Sequence, residues 1–247
     1  MGIYGDKNIV ITGGSSGMGF AMAKRLSDGG ARVMITGRSQ ETLDAARQQL
    51  GTDTIAVQGD VAALDDLDDL AEQVKGELGA IDALFVNAGI APLTPLDSTT
   101  EEAYDELFAT NTKGAYFTVQ KLAPLLNTGA GVVFTTSVAS VTGMLDTSGY
   151  AASKAALRSM VRSFSRELLP NGIRVNAVSP GPIDTGVLEK GMSAEDAEQF
   201  KAERVADNPM RRFGKPDEVA RAASFLAFDA TYTTGAELPV DGGVTQL

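Results

Sequence analysis

Tyr150 and Lys154 stand four residues apart, with Ser137 upstream of them. Residues at i and i+4 share one face of a helix, so a phenol and an ammonium would stand side by side. An ammonium near a phenol favours the phenolate, which predicts a lowered pKa for Tyr150. The chain opens on Thr12-Gly13-Gly14-Ser15-Ser16-Gly17-Met18-Gly19, between a strand-like run and a helical one. Gly13 permits a tight turn, while Gly17 and Gly19 allow close approach of backbone and ligand or of helix and strand. The helix start then offers free N–H groups and a positive dipole end to phosphate. The two ends of the motif set predict acid–base work by a tyrosine beside a bound dinucleotide.

The elements that must position these residues follow from the apolar pattern. Lys7–Thr12 reads as a strand and Gly17–Asp28 as a helix closed by Gly29-Gly30. Arg32–Thr36, Thr54–Gln58, Ile81–Val86, Gly131–Ser137, Ile173–Val178 and Ala236–Val240 read as further strands. Gln40–Leu50, Leu64–Leu78, Glu101–Leu126 and Ser148–Leu169 carry helical periods, the third broken only near Gly114 and Pro124. Another helix is expected near Pro216–Phe228. This alternation predicts an α/β fold: a Rossmann-type, doubly wound, seven-stranded parallel sheet with helices on both faces, in a single domain over residues 1–247. Asp65, Asp66, Asp68 and Asp69 read as a solvated helix face. Gly186–Pro209 breaks the rhythm. It is polar and acidic, and an insertion there would lie beyond the carboxyl ends of the strands, where such sheets bind ligands. Gly186, Gly191, Glu189, Glu195, Asp196 and Glu198 mark it as a substrate lid over about 186–209.

Composition narrows the chemistry. The 247 residues contain no cysteine and no histidine. Disulfides, thiol nucleophiles and thiolate metal sites are excluded, and the commonest general base is missing. Proton transfer must fall to Tyr, Lys, Asp or Glu with a shifted pKa, and no metal is expected. The net charge of −11 opposes nucleic acid and anionic membranes alike. The first residues lack the basic and apolar regions of a signal peptide, and Asp6 stands where a myristoylation site needs Ser or Thr. No apolar stretch approaches the roughly 20 residues of a membrane span. The expectation is a soluble, cytoplasmic protein acting on a small molecule.

The second strand chooses the dinucleotide. NAD enzymes of doubly wound type place a carboxylate near its end to bind the adenosine ribose. Here the run is Ile35-Thr36-Gly37-Arg38-Ser39. Gly37 takes the acidic position, and Arg38 with Ser39 is suited to a 2′-phosphate. The prediction is NADP(H).

The glycine spacing is T-G-x-x-x-G-x-G, and it resembles that of the short-chain dehydrogenase/reductase family, in its compact single-domain branch. The resemblance runs from about Lys7 to Gly243, with motifs in the family's order: TGGSSGMG at 12–19, NAG at 87–89, Asn111, Ser137, YAASK at 150–154, SPGPIDT at 179–185 and DGG at 241–243. It implies cofactor contacts from Gly13, Ser15, Ser16, Gly17, Met18 and Gly19. It further implies that Asp60 and Val61 hold the adenine, that Asn87, Ala88 and Gly89 flank it and its ribose, and that Pro180, Gly181, Ile183 and Thr185 hold the nicotinamide. Lys154 would also grip the nicotinamide ribose, and Asn111 would anchor a water linking Lys154 to solvent. Family members commonly form homotetramers, which the apolar surface of the two long helical patterns also suggests.

A cofactor of this kind moves the hydride; the protein orients the substrate and moves one proton. Tyr150 is the expected donor to a carbonyl oxygen, with Lys154 and the oxidised nicotinamide both favouring its phenolate. Ser137 would bind the same oxygen. The expected pocket wall is Pro92, Leu93, Val138, Ala139, Met144, Leu145, Val187, Leu188 and Met192, which suits a hydrophobic ketone or secondary alcohol. No Arg or Lys stands out as an anchor for a charged substrate group. The chain is also similar to 3-oxoacyl-(acyl-carrier-protein) reductases. The stretches LLNTGAG at 125–131 and LLPNG at 168–172, where that group places basic residues for docking, have none. A reductase of free ketones is the leading expectation, the carrier-protein enzyme the alternative, and a non-catalytic dinucleotide sensor a lower-ranked one.

Overall fold

A computed structural model of the chain describes residues 2–186 and 193–247. Among these, seven strands form one parallel sheet: β1 (Asn8–Ile11), β2 (Arg32–Gly37), β3 (Ile55–Gln58), β4 (Ile81–Val86), β5 (Leu126–Thr135), β6 (Arg174–Pro180) and β7 (Glu237–Val240). Their spatial order is β3-β2-β1-β4-β5-β6-β7. The helices between them are α1 (Gly17–Asp28), α2 (Gln40–Leu50), α3 (Leu64–Glu77), α4 (Glu101–Phe108), α5 (Ala115–Leu122), α6 (Ser148–Leu168), α7 (Ala194–Asp207) and α8 (Pro216–Ser224). This is the doubly wound sheet that the alternation predicts.

Strands covered on both faces are apolar throughout, and successive residues feed opposite cores. On β4, Leu84 and Val86 join Val10, Val132 and Phe134 beneath α3, α5 and α6. Ala83 and Phe85 join Ile9, Ile11, Val33 and Ile35 beneath α1, α2 and α8. The strand order reverses between β1 and β4. Loops leaving the carboxyl ends of those strands diverge to opposite faces and open a crevice.

Several element limits depart from the apolar pattern. The strand expected at Gly131–Ser137 pairs from Leu126, opposite Ile81, and ends at Thr135. Within it Gly131 is required by packing, since a Cβ there would lie 2.4 Å from the Ala227 carbonyl oxygen. The pattern Glu101–Leu126 is not one helix. A π-type turn, Ala109–Gly114, separates α4 from α5, and Pro124 sits in a closing 3-10 turn, Ala123–Leu125. Gly114 lets this segment press on Val61, whose carbonyl oxygen would be 2.7 Å from an added Cβ. The next long pattern stops at Leu168 and passes into a 3-10 turn containing Pro170, while the pattern near Pro216–Phe228 ends in a π-type turn, Phe225–Asp229. β6 runs to Pro180, past the expected end at Val178. No helix among the described residues is long and apolar enough to cross a membrane.

Candidate active site

The glycine loop leaves β1 and is tied down by the neighbouring strands. The Thr12 hydroxyl accepts the amides of Asn87 and Ala88, both at 3.1 Å. The Asn87 side chain donates to the carbonyls of Thr12 and Gly13 at 3.1 and 3.2 Å, and accepts from Thr135 at 3.1 Å. The Asn87 amide group is thus committed to holding the loop, a role its sequence position did not reveal. Gly13 and Gly17 have φ of 66° and 54°. A Cβ at Gly19 would stand 2.2 Å from the Gly13 carbonyl oxygen, so the helix start lies directly against the turn.

That start fits a pyrophosphate. Ser16 is the N-cap of α1 but its side chain makes no cap hydrogen bond. Among the described residues no hydrogen bond takes the amides of Ser16, Gly17 or Met18. Exposed N–H groups at the positive end of a helix are an anion site. Across the crevice, Thr185 comes within 3.5 Å of where a Gly17 Cβ would be.

The other expected cofactor residues also lie at the carboxyl end of the sheet. Gly37 ends β2, and a Cβ there would meet the Ser15 hydroxyl at 2.9 Å; a larger side chain would displace Ser15. Arg38 is exposed, with Glu106 3.9 Å away. Ser39 caps α2 by accepting the Thr42 amide at 3.3 Å. After β3, the Asp60 carboxylate accepts the Ala62 amide at 2.9 Å, beside Val61. After β6, Gly181 packs on Asp241, and Ile183 bridges to Gly214.

The acid–base residues meet where β5 ends and α6 begins. Tyr150 lies in the first turn of α6 and shares a cavity wall with Ser137. The Ser137 hydroxyl itself accepts the Ala139 amide at 3.2 Å. Lys154, one turn further along α6, is buried; its Nζ donates to the Thr135 carbonyl at 2.9 Å and lies 5.9 Å from the Tyr150 ring centre. Gly89 makes room for it, since a Cβ there would be 3.4 Å from that Nζ. Asn111 is fully buried. It accepts the Ile90 amide at 2.8 Å, donates to the Ile90 carbonyl at 2.9 Å and to Ser153 at 3.1 Å. Ser153 in turn donates to the Tyr150 carbonyl at 2.7 Å. The Asn111 side chain therefore pins the loop after β4 to the start of α6.

The electrostatics correct one expectation. Tyr150 is pushed above the usual phenol value, chiefly by burial, against the pull of the Ser137 hydrogen bond. Burial depresses Lys154 to about 8, and its ammonium is directed at a backbone carbonyl rather than at the phenol oxygen. Desolvation outweighs the charge effect expected for Tyr150.

Ser137 and Tyr150 form part of the wall of a cavity of about 210 Å³. Leu93, Val138, Ala139 and Met144 line it as expected. Leu145 does not; it is 87% exposed, and Pro92 is also outside the lining. Val187, Leu188 and Met192, and the lid residues Glu189 and Gly191, lie outside the described residues. Sequence reasoning missed Thr147, Phe200, Arg204 and Phe213, all of which line the cavity. Arg204 corrects the expectation that no basic residue stands out near the substrate. The available signal was the i, i+4 pairing of Phe200 and Arg204 in a helical stretch.

A fold and a site of this kind define a dinucleotide-dependent oxidoreductase, and comparison with known proteins agrees. The family model described as "Enoyl-(Acyl carrier protein) reductase" matches residues 13–245. Oxidoreductase asL5 of Sarocladium schorii is 43% identical over 244 residues, covering 98% of this chain and 96% of that protein. A 3alpha-hydroxysteroid dehydrogenase of Mediterraneibacter gnavus is 36% identical over 245 residues, covering 96% of each. Among solved structures, a short-chain dehydrogenase/reductase of Brucella melitensis, described as a glucose/ribitol dehydrogenase, superposes with a TM-score of 0.92 at 30% identity, covering 100% of this chain and 99% of that one. The chain belongs to the short-chain dehydrogenase/reductase family. It is an oxidoreductase of that family, whose members use a nicotinamide cofactor.

Proposed function

We propose that the protein is an NADP(H)-dependent ketoreductase, interconverting a hydrophobic ketone and a secondary alcohol. The observation that carries this reading is the meeting of Ser137 and Tyr150 in the wall of a largely apolar cavity, one helical turn from buried Lys154. The hydroxysteroid substrate in the name of one relative supports a hydrophobic alcohol.

In this reading the amides at the start of α1 hold the pyrophosphate. Arg38 and Ser39 hold the 2′-phosphate, and Gly37 leaves no carboxylate to repel it. Asp60, Val61 and the backbone of Asn87–Gly89 receive the adenosine, and 180–185 the nicotinamide. The cofactor supplies or accepts the hydride. Ser137 fixes the substrate oxygen by a hydrogen bond, and Tyr150 gives that oxygen its proton on reduction and takes it back on oxidation. The raised phenol pKa keeps the proton on Tyr150 at neutral pH, the form that reduction requires. Lys154 grips the nicotinamide ribose. Asn111 acts by positioning, since its side chain is spent on Ile90 and Ser153.

The test is loss of NADPH absorbance with a panel of hydrophobic ketones and an acetoacetyl thioester. Turnover of free ketones is expected, reduced about 10²–10⁴-fold in Tyr150→Phe with NADPH binding retained. Turnover of the thioester alone would replace this reading with the carrier-protein one. Arg38→Asp is expected to reverse the preference for NADPH over NADH, and an unchanged ratio of kcat/KM values would remove the NADP(H) assignment. The homotetramer belongs to the same proposal, supported by half-exposed Tyr104 and Tyr116 on α4 and α5. A monomer in sedimentation would refute it.

A further inference from the structure

The chemistry above leaves one charge in the cavity unused. Arg204 lies on α7, one turn after Phe200, with its guanidinium over the Phe200 ring at 4.9 Å from the centre. Both side chains line the cavity that contains Ser137 and Tyr150, and Phe213 lines it beside them. The cavity's carboxylate, Asp184, is already paired with Lys201 at 2.9 Å. Among the described residues Arg204 has no carboxylate partner. Its charge stands in the wall of a mainly apolar cavity.

A guanidinium held over a ring face keeps N–H donors for bidentate bonding to a carboxylate. Apolar surroundings strengthen such a contact by lowering the local dielectric. The inward face of α7 is set by Ala197, buried against the fold, with Phe200 and Arg204 following at helical spacing. The Lys201–Asp184 pair ties this face to the loop after β6.

We propose that Arg204 is the anion anchor of the substrate pocket, and that the substrate class is a compact oxo acid or the matching hydroxy acid. The reacting carbon lies at Ser137 and Tyr150, the apolar body lies along Leu93, Val138 and Phe213, and the carboxylate lies on Arg204. The position of the reacting carbon rests on the ketoreductase reading; the anion site rests on the cavity alone.

Two measurements separate these. The first compares straight-chain methyl ketones ending in a carboxylate, from 4-oxopentanoate to 8-oxononanoate, with their methyl esters. At one or more lengths the acid is expected to show a KM about tenfold or more below that of its ester, at similar kcat. Arg204→Met, which keeps the stem over Phe200, is expected to erase that gap by raising the KM of the acid towards that of its ester, while Arg204→Lys restores part of it. Equal KM values at every length would overturn the anchor. The second measurement needs no turnover: calorimetry of octanoate against octanamide, on wild type and Arg204→Met. An Arg204-dependent preference of about tenfold for octanoate supports the anchor even if no ketone reacts, and the ketoreductase reading then fails by itself. Turnover of the esters with no such preference leaves the ketoreductase and removes the anchor.

Discussion

At the scale of the residue, burial governs the two groups expected to move a proton. Lys154 is buried and depressed to about 8 from 10.5. Between those values the unfolded chain holds a proton that the folded one has released, so stability rises with pH across that window. Below about pH 8 both states hold the proton, and the folded state bears the full cost of the buried ammonium. The stability gap between wild type and Lys154→Met is therefore expected to move in favour of wild type, by on the order of 3 kcal/mol, from below pH 8 to above pH 10.5. Urea denaturation at a series of pH values measures it, and a gap that stays flat would contradict the assignment.

At the scale of the element, the turn between β1 and α1 depends on backbone contacts that no side chain tolerates. Gly19→Ala would place a methyl 2.2 Å from the Gly13 carbonyl oxygen. The expected cost is about 1–3 kcal/mol in stability, with NADPH binding weakened and the circular dichroism of the helices retained. Normal NADPH affinity in that variant would show that the turn does not set the cofactor site. Gly76 provides the contrast. It lies within α3, and nothing stands within 4 Å of an added Cβ. Gly76→Ala is expected to raise stability by about 0.5–1 kcal/mol and leave activity unchanged, because only helix propensity is altered. A fall in its melting temperature would contradict this.

At the scale of the whole molecule, one sheet serves two cores. Phe85 and Phe134 are both fully buried but feed opposite faces. Each replaced by Ala is expected to cost about 3–5 kcal/mol. Because both cores share the same strands, tyrosine fluorescence and far-ultraviolet circular dichroism should report one common urea midpoint in either variant. Separate midpoints for the two probes would mean that the faces unfold independently. The sheet also explains why the site gathers where it does. The loops that carry Gly13–Gly19, Asn87–Gly89 and 180–185 all leave carboxyl ends of parallel strands, on either side of the β1–β4 reversal.

The amino-acid sequence by itself determined the α/β alternation, the seven strands, the glycine turn and the spacing of Tyr150 and Lys154. These are local features: apolar period, glycine placement and helical offset act over a few neighbouring residues. Tertiary structure decided whatever required distant segments to meet. The π-type turn at Ala109–Gly114 interrupts a pattern that reads as one helix, and its Asn111 reaches Ile90 and Ser153. Leu93 faces the cavity and Leu145 faces solvent, although both are leucines in loops of similar composition. The raised pKa of Tyr150 reverses the expectation from spacing alone, because desolvation depends on every element packed around a group. Arg204 comes to the cavity only because α7 folds back over the carboxyl end of the sheet, a contact between segments that no local period encodes.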